Sequence, residues 1–435
     1  MIAHGLLSRH VSDDGGRPGD SNRTLQLVKG AREQENESMD FAERMDRLGT
    51  ETAFEVLAAA KALEKKGRSI LHLEIGEPDF STADFVVEAA VQALRDGWHH
   101  YVPAPGIPQL REAIAEHISA TRNIPVSPDE VVVTPGAKPI IFFTLLALAE
   151  PGVEVIYPDP GFPIYESMIK FVGATPVPAP LREELDFRMD LGEVREKITD
   201  RTRLIILNSP NNPTGAILKP EDLAGLAEEC LNRGLTVLSD EIYSRLLYDA
   251  DHSSIASFPG MKERTVILDG FSKTYAMTGW RLGYGVMPRE MAEAVTRLMI
   301  NSNSCTAAFT QKAGVAALRG DQSACTNMLE TFRSRRDRVV PMLNAIEGVS
   351  CRIPQGAFYA FPSIRDTGMP ALQLQRLLLQ ETGVALLSGT SFGKWGEGYL
   401  RISYATSMEV LAEAIGRIGE TISTIVAGRD HLTGG

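Results

Sequence analysis

Lys273 stands in the segment DGFSKTYAMTGWRLGYG (269–285), just after an apolar run, with Ser272 before it and Arg281 eight residues on. Two cations and a hydroxyl among Gly, Met, Trp, Tyr and Leu need a chemical reason. Burial disfavours a lysine's ammonium form, which frees its amine to act as a nucleophile. Serine and arginine together suit an anion of phosphate type. Four other apolar runs end in comparable chemistry: VVVT in PGAK (135–138), VEVIY in PDPGFPIY (158–165), RLIIL in NSPNNPTG (208–215) and LTVLS in DEIY (240–243). Asp240 follows a buried strand, where an isolated carboxylate is costly and requires a cationic or hydrogen-bonding partner. Asn212 and Tyr243 supply an amide and a phenol suited to a phenolate-like oxygen. The amides of Gly136, Ala137 and Lys138, at the start of an expected helix, add donors to the anion site of Ser272 and Arg281. Lysine, carboxylate, phenolate binder and phosphate cradle match one cofactor, pyridoxal 5'-phosphate, with its aldehyde, ring nitrogen, ring hydroxyl and phosphate.

These groups can meet only if the runs that carry them lie side by side. Strand-like runs fall at 131–134, 153–157, 203–207, 235–239, 265–270 and 281–287. They are apolar on successive residues, as in strands covered on both faces. Helical patterns alternate with them over about 83–96, 108–121, 138–149, 163–172 and 220–233. The pattern predicts an α/β fold whose large domain has a mostly parallel sheet with helices on both faces. Ligands bind at the carboxyl ends of such strands. After about residue 322 the pattern changes to a long charged helix, GAFYAFP, a helix near 371–382, VALLSG, YLRISYA and a last helix near 408–426. That predicts a smaller α+β domain, shared with the N-terminal segment. The expected division is a disordered polar tail over 1–38, an arm and part of the small domain over 39–80, a large cofactor-binding domain over 81–321, a small domain over 322–428 and a tail over 429–435.

The chain of 435 residues carries a formal charge of −12, which gives no electrostatic help toward nucleic acid or an anionic membrane. Neither is an expected partner. The longest apolar stretch, 139–149, is too short to span a bilayer. Four cysteines and eight histidines are scattered without metal-ligand spacing, so no metal is expected. Reduced thiols and a cytoplasmic location are the expectation. The glycine-rich GTSFGKWGEG (389–398) lacks the ending of a phosphate loop and leads into a strand.

The motifs LEIGEPDF (73–80), HYVPAPGIPQLREAIA (100–115), NNPTG (211–215), SDEIY (239–243), FSKTYAMTGWRLGY (271–284) and YLRISYA (399–405) occur in that order. Together they resemble the class I/II aminotransferases of fold type I, in particular the bacterial aspartate aminotransferase-like branch, over the chain from about Met39 to the last helix. The resemblance implies that Lys273 bonds the cofactor's aldehyde carbon and then shuttles a proton. It implies that Asp240 pairs with the pyridine nitrogen and keeps it protonated. A carboxylate at ~4 Å in a partly shielded site contributes roughly 4 kcal/mol, or about three pKa units. Asn212 and Tyr243 would bond the ring oxygen. Ser272, Arg281, Gly136, Ala137 and Lys138 would surround the phosphate, and Phe162 would stack on the ring. Tyr101 would reach the neighbouring subunit's phosphate, making a homodimer with shared active sites. Arg401, delivered by the 389–398 loop, would grip the substrate α-carboxylate bidentately, assisted by Gly76 and Asn212.

The implied reaction is ping-pong transfer from an L-amino acid to a 2-oxo acid such as 2-oxoglutarate. In some relatives a lysine at the place of Lys138 meets the distal carboxylate, which favours an aspartate-like donor. The segment NSNSCTAAF (301–309) offers no arginine for that purpose. Neutral or aromatic donors of the alanine, methionine or kynurenine type stay open, as does β-elimination on the same fold.

Overall fold

The Val, Ile and Leu runs between the helical patterns pair into one seven-stranded sheet. The structure, a computed structural model, describes residues 39–433, so the tail expected over 1–38 lies outside the described residues. In chain order the strands are β1 (Leu71–His72), β2 (Val131–Thr134), β3 (Glu154–Asp159), β4 (Thr175–Pro180), β5 (Thr202–Asn208), β6 (Thr236–Asp240), β7 (Thr265–Gly270), β8 (Gly283–Val286), β9 (Tyr359–Ala360), β10 (Val384–Ala385), β11 (Leu387–Ser388) and β12 (Leu400–Ser403). The large sheet has the order β2-β8-β7-β6-β5-β3-β4. Its strands run one way except β8, which is antiparallel to both β2 and β7. The carboxyl ends of β2, β3, β5, β6 and β7 therefore share one edge.

Alternate side chains enter opposite layers, as the pleat requires. Val132, Leu204, Leu238 and Leu268 join one core, while Val131, Val133 and Ile267 join a second and Ile205 and Val237 a third. No run had been expected for β4. Its sequence TPVPAP holds three prolines, and it pairs with β3 alone at the sheet edge, where the missing N–H groups forfeit no ladder bond.

The helices that bear on the site are α1 (Thr52–Glu64), α2 (Asp84–Arg95), α3 (Pro108–Arg122), α4 (Lys138–Leu148) and α5 (Ile164–Phe171). Pro108 opens α3 and the left-handed Asn123 (φ 51°) closes it, an ordinary start and stop. Its last residue, Arg122, is buried beneath the site-bearing edge. Arg122 Nε donates to Glu241 Oε2 at 2.8 Å and Nη2 to Asp269 Oδ2 at 2.9 Å. Glu241 also accepts from Ser239 at 2.9 Å and Ser254 at 2.6 Å, and lies 2.9 Å from His252 Nε2. Burial acts to raise the Glu241 pKa, but His252 and Arg122 overcome it and hold the group at about 2. The network fastens the ends of β6 and β7 to α3.

Two smaller sheets join distant parts of the chain. β1 pairs parallel with β10, and β12 lies between β11 and β9, antiparallel to both. The last helix, Met408–Thr433, exceeds the expected 408–426. The tail expected over 429–435 is thus helical as far as 433, and 434–435 lie outside the described residues. No described helix is long and apolar enough to cross a membrane.

Replacing Arg122 by Met would leave Glu241 and Asp269 without their buried cation. Loss of one partner of a buried ion pair destabilises by about 3–5 kcal/mol. Urea unfolding of Arg122→Met is expected to show a loss of that order. A change below ~1 kcal/mol would mean that the network does not hold the edge.

Candidate active site

Every strand end singled out in the sequence reaches one cavity of about 520 Å³, within the ~300–1,000 Å³ common for small-molecule sites. Lys273 follows β7, Asp240 ends β6, Asn212 lies in the turn after β5, and Ala137 and Lys138 join β2 to α4. Tyr243, Ser272, Arg281, Phe162, Gly76 and Arg401 also line it. Gly136 lies one residue outside the lining and packs against Arg281. Tyr101 is 86% exposed and is not part of its own chain's cavity.

Lys273 Nζ donates to the Gly76 carbonyl. Burial pushes its pKa down to about 8; Glu77 opposes the shift, while Arg401 and Lys138 add to it. The neutral amine that a nucleophile needs is therefore far more populated near neutrality than in an ordinary lysine. Gly76 has no room for a side chain, since a Cβ there would overlap the Tyr359 hydroxyl. That hydroxyl is 2.7 Å from the Tyr243 hydroxyl.

Asp240 is 5% exposed and forms no ion pair among the described residues. Its Oδ2 accepts from Tyr165 Oη at 2.6 Å and its Oδ1 from the Ile242 amide at 3.2 Å. Burial raises its pKa to about 6; those hydrogen bonds oppose the rise, and the charges of Asp269 and Glu241 reinforce it. A protonated ring nitrogen would supply the missing cation.

Arg401, 4% exposed, is the complementary case. Nη1 donates to Asn212 Oδ1 at 3.2 Å and Nη2 to the Glu74 carbonyl, while Nε is buried without a partner among the described residues. The guanidinium lies 4.5 Å from the Tyr359 ring and 4.9 Å from that of Phe392. Both rings are aromatic faces that suit a cation, but neither replaces a carboxylate.

At the other end, Ser272 and Arg281 face the start of α4, which has no side-chain cap. Gly136 has φ 84°, and a Cβ on it would overlap the Arg281 guanidinium. A Cβ on Gly283 would overlap the Ala137 backbone. Bare backbone, uncapped amides, a hydroxyl and a guanidinium together fit a phosphate. The cavity's donor set therefore fits pyridoxal phosphate at the amine, ring-nitrogen and phosphate positions. Phe162 meets Tyr165 edge-on at 5.7 Å on the cavity wall.

Two features were not anticipated. Lys138 lines the cavity, and its ammonium is ion-paired with Glu51. The 389–398 loop is two short helical turns secured to the body: the Gly161 amide donates to Phe392 O, and Trp395 N donates to Asp159 Oδ1 at 3.2 Å. Sequence reasoning missed Tyr165, Tyr359 and Glu51. Tyr165 and Tyr359 lay within quoted motifs, but the partners that define them, Asp240 and Tyr243, come from distant strand ends. Glu51 lay outside any motif.

The apo protein should titrate Lys273 near pH 8. Its folded pKa is lowered, so capture of the free aldehyde cofactor should accelerate as pH rises through about 8. Stopped-flow absorbance of apo protein mixed with cofactor checks this; a midpoint near the ordinary lysine value of ~10.4 would refute it.

Residues 68–418 match the family model described as aminotransferase class I and II. A probable aspartate/prephenate aminotransferase of Aquifex aeolicus is 40% identical over 392 residues, spanning 88% of this chain and 99% of that protein. The solved aspartate aminotransferase from Rhizobium meliloti superposes with a TM-score of 0.85 at 35% identity, covering 89% of this chain and 99% of that one. An aromatic aminotransferase from Pyrococcus horikoshii superposes with a TM-score of 0.80 at 40% identity, covering 84% and 99%.

Proposed function

Because the chain belongs to the class I and II aminotransferases, which use pyridoxal 5'-phosphate, we propose that it moves the amino group of an L-amino acid, with an aspartate-like donor favoured, to a 2-oxo acid such as 2-oxoglutarate. The observation that carries this reading is the meeting of Lys273, Asp240 and Arg401 in one cavity. Bound pyridoxal phosphate supplies an electrophilic aldehyde and an electron-withdrawing ring. Arg401 takes the α-carboxylate of the incoming amino acid, which fixes its amine and Cα beside Lys273. Asp240 would hold a proton on the ring nitrogen. The Lys273 amine would take the Cα proton of the substrate and later give it back, as base and then acid. Asn212 and Tyr243 would orient the ring oxygen, and Ser272, Arg281 and the amides from Gly136 to Lys138 would hold the phosphate. The first oxo acid leaves before the second enters, which is a ping-pong cycle.

Lys138 on the substrate side of the cavity supports the aspartate-like donor. Phe54 and Phe162, which share that wall, support a second reading with neutral or aromatic donors. The high exposure of Tyr101 and its absence from its own cavity support a homodimer in which it completes the partner's site. Four free cysteines support a cytoplasmic location.

Cofactor-loaded protein should lose its visible absorbance on addition of an amino donor and regain it on addition of an oxo acid. Failure to bleach with any of aspartate, alanine, methionine, phenylalanine or kynurenine would overturn the proposal, and repeated turnover of a cysteine-type substrate to pyruvate without an acceptor would point to β-elimination. Asp240→Asn should lower kcat by about three orders of magnitude, the equivalent of ~4 kcal/mol. Lys138→Ala should reduce kcat/KM for aspartate far more than for phenylalanine; equal losses would remove Lys138 from distal-carboxylate recognition.

A further inference from the structure

Glu51 holds no place in the chemistry described so far, yet its carboxylate lines the cavity and pairs with the Lys138 ammonium. It occupies the N-cap position of α1, with φ −92° and ψ 111°, but makes no capping hydrogen bond. A carboxylate at this position ordinarily turns back onto the amides of the first turn, where the helix dipole favours it. Here it reaches across to Lys138 instead. The adjacent Thr52 hydroxyl lines the same wall and is buried without a partner among the described residues. The Lys138 ammonium lies 5.3 Å from the centre of the Phe162 ring and 6.0 Å from that of Phe54. The wall thus presents a closed ion pair, two aromatic faces, an unused hydroxyl and an uncapped helix end.

Each substrate class meets this wall differently. An uncharged or aromatic side chain pressed against a lone ammonium would strip its water and leave the charge unpaired. Against the Glu51–Lys138 pair, it meets a neutral surface and two rings. A distal carboxylate competes with Glu51 for Lys138, and two carboxylates on one ammonium repel. Glu51 then has another resting place within its own residue's reach, the first turn of α1 beside the Thr52 hydroxyl.

We propose that Glu51 is an exchangeable counter-ion for Lys138. Paired, it keeps the side-chain end of the cavity neutral for uncharged and aromatic amino acids. Displaced onto the start of α1, it yields Lys138 to the distal carboxylate of a dicarboxylic amino or oxo acid. A ping-pong cycle puts donor and acceptor in the same space in turn, and this exchange lets one wall take both kinds. Glu51 acts through Lys138 and is a positioning residue for specificity. The inference rests on the assignment of this cavity as the amino-acid site.

The test compares wild-type and Glu51→Gln holoenzyme by isothermal titration with two non-reacting probes, maleate and 3-phenylpropionate. Removing the counter-ion should tighten maleate binding and weaken 3-phenylpropionate binding, each by about two- to fivefold, the range for a partly exposed pair. In steady-state kinetics KM should fall for aspartate and 2-oxoglutarate and rise for phenylalanine, with the effect on KM rather than kcat. Glu51→Asp, which keeps the charge, should recover part of the 3-phenylpropionate affinity. Both probes shifting the same way, or neither shifting, would overturn the exchange. A wild type that binds both probes but transaminates no donor would instead defeat the proposed reaction, leaving the binding comparison to judge Glu51 alone.

Discussion

Asp240, at the end of β6, and Arg401, on β12, are buried around one cavity, and neither forms an ion pair among the described residues. Removing an ion from water costs several kcal/mol even after relaxation. The protein limits the cost without cancelling it. Asp240 accepts from one phenol and one amide. Arg401 leans on two rings, an amide oxygen and a backbone carbonyl, and one of its nitrogens stays unpartnered. Under the proposed function, what each lacks is what a ligand would bring: a protonated ring nitrogen for the carboxylate and an α-carboxylate for the guanidinium. Ligands that bind only the folded state stabilise it, so the holoenzyme recovers what the bare site gives up.

The layer below shows the contrast. Glu241 neighbours Asp240 in sequence but faces the other way, where Arg122, His252 and two serines satisfy it. Asp269 shares the same arginine. A fully paired network can be buried at low cost, and here it fastens the strand ends from which the unpaired groups project. The two functions alternate along the chain because adjacent residues at a strand end point to opposite faces. One face fixes the edge and the other leaves charge for chemistry.

The main sheet was legible in the sequence because its strands are buried on both faces and read as unbroken apolar runs. VVVT and TVILDG coincide with β2 and β7 residue for residue. β4 was hidden by its prolines, which an edge strand tolerates and a pattern reading rejects. Lys273, Asp240 and Asn212 were legible because polar residues after apolar runs are conspicuous and the sheet's parallel order brings those ends together, while Arg281 opens the run of the antiparallel β8, which starts at the same edge. Tyr165 and Tyr359 were not, since a tyrosine in an aromatic stretch reads as core until its hydroxyl's partner is known. Glu51 was the hardest to see. It stands outside every quoted motif, and only the fold shows that its side chain turns to Lys138.

The segment from Leu73 to Gly76 ties the two ends of the substrate's path together. The Ser403 amide of β12 donates to Leu73 O at 2.9 Å, Arg401 donates to Glu74 O, and Lys273 donates to Gly76 O. Four residues thus hold both the guanidinium proposed to take the substrate's carboxylate and the amine proposed to handle its Cα proton. The two cations also oppose each other directly, since the charge of Arg401 helps to lower the pKa of Lys273. A carboxylate arriving on Arg401 neutralises that charge and removes the repulsion. In the proposed reaction, a substrate carboxylate on Arg401 would thus make a free Lys273 amine a stronger base. The grip on the carboxylate and the basicity of the lysine are in this way coupled through the charge of Arg401.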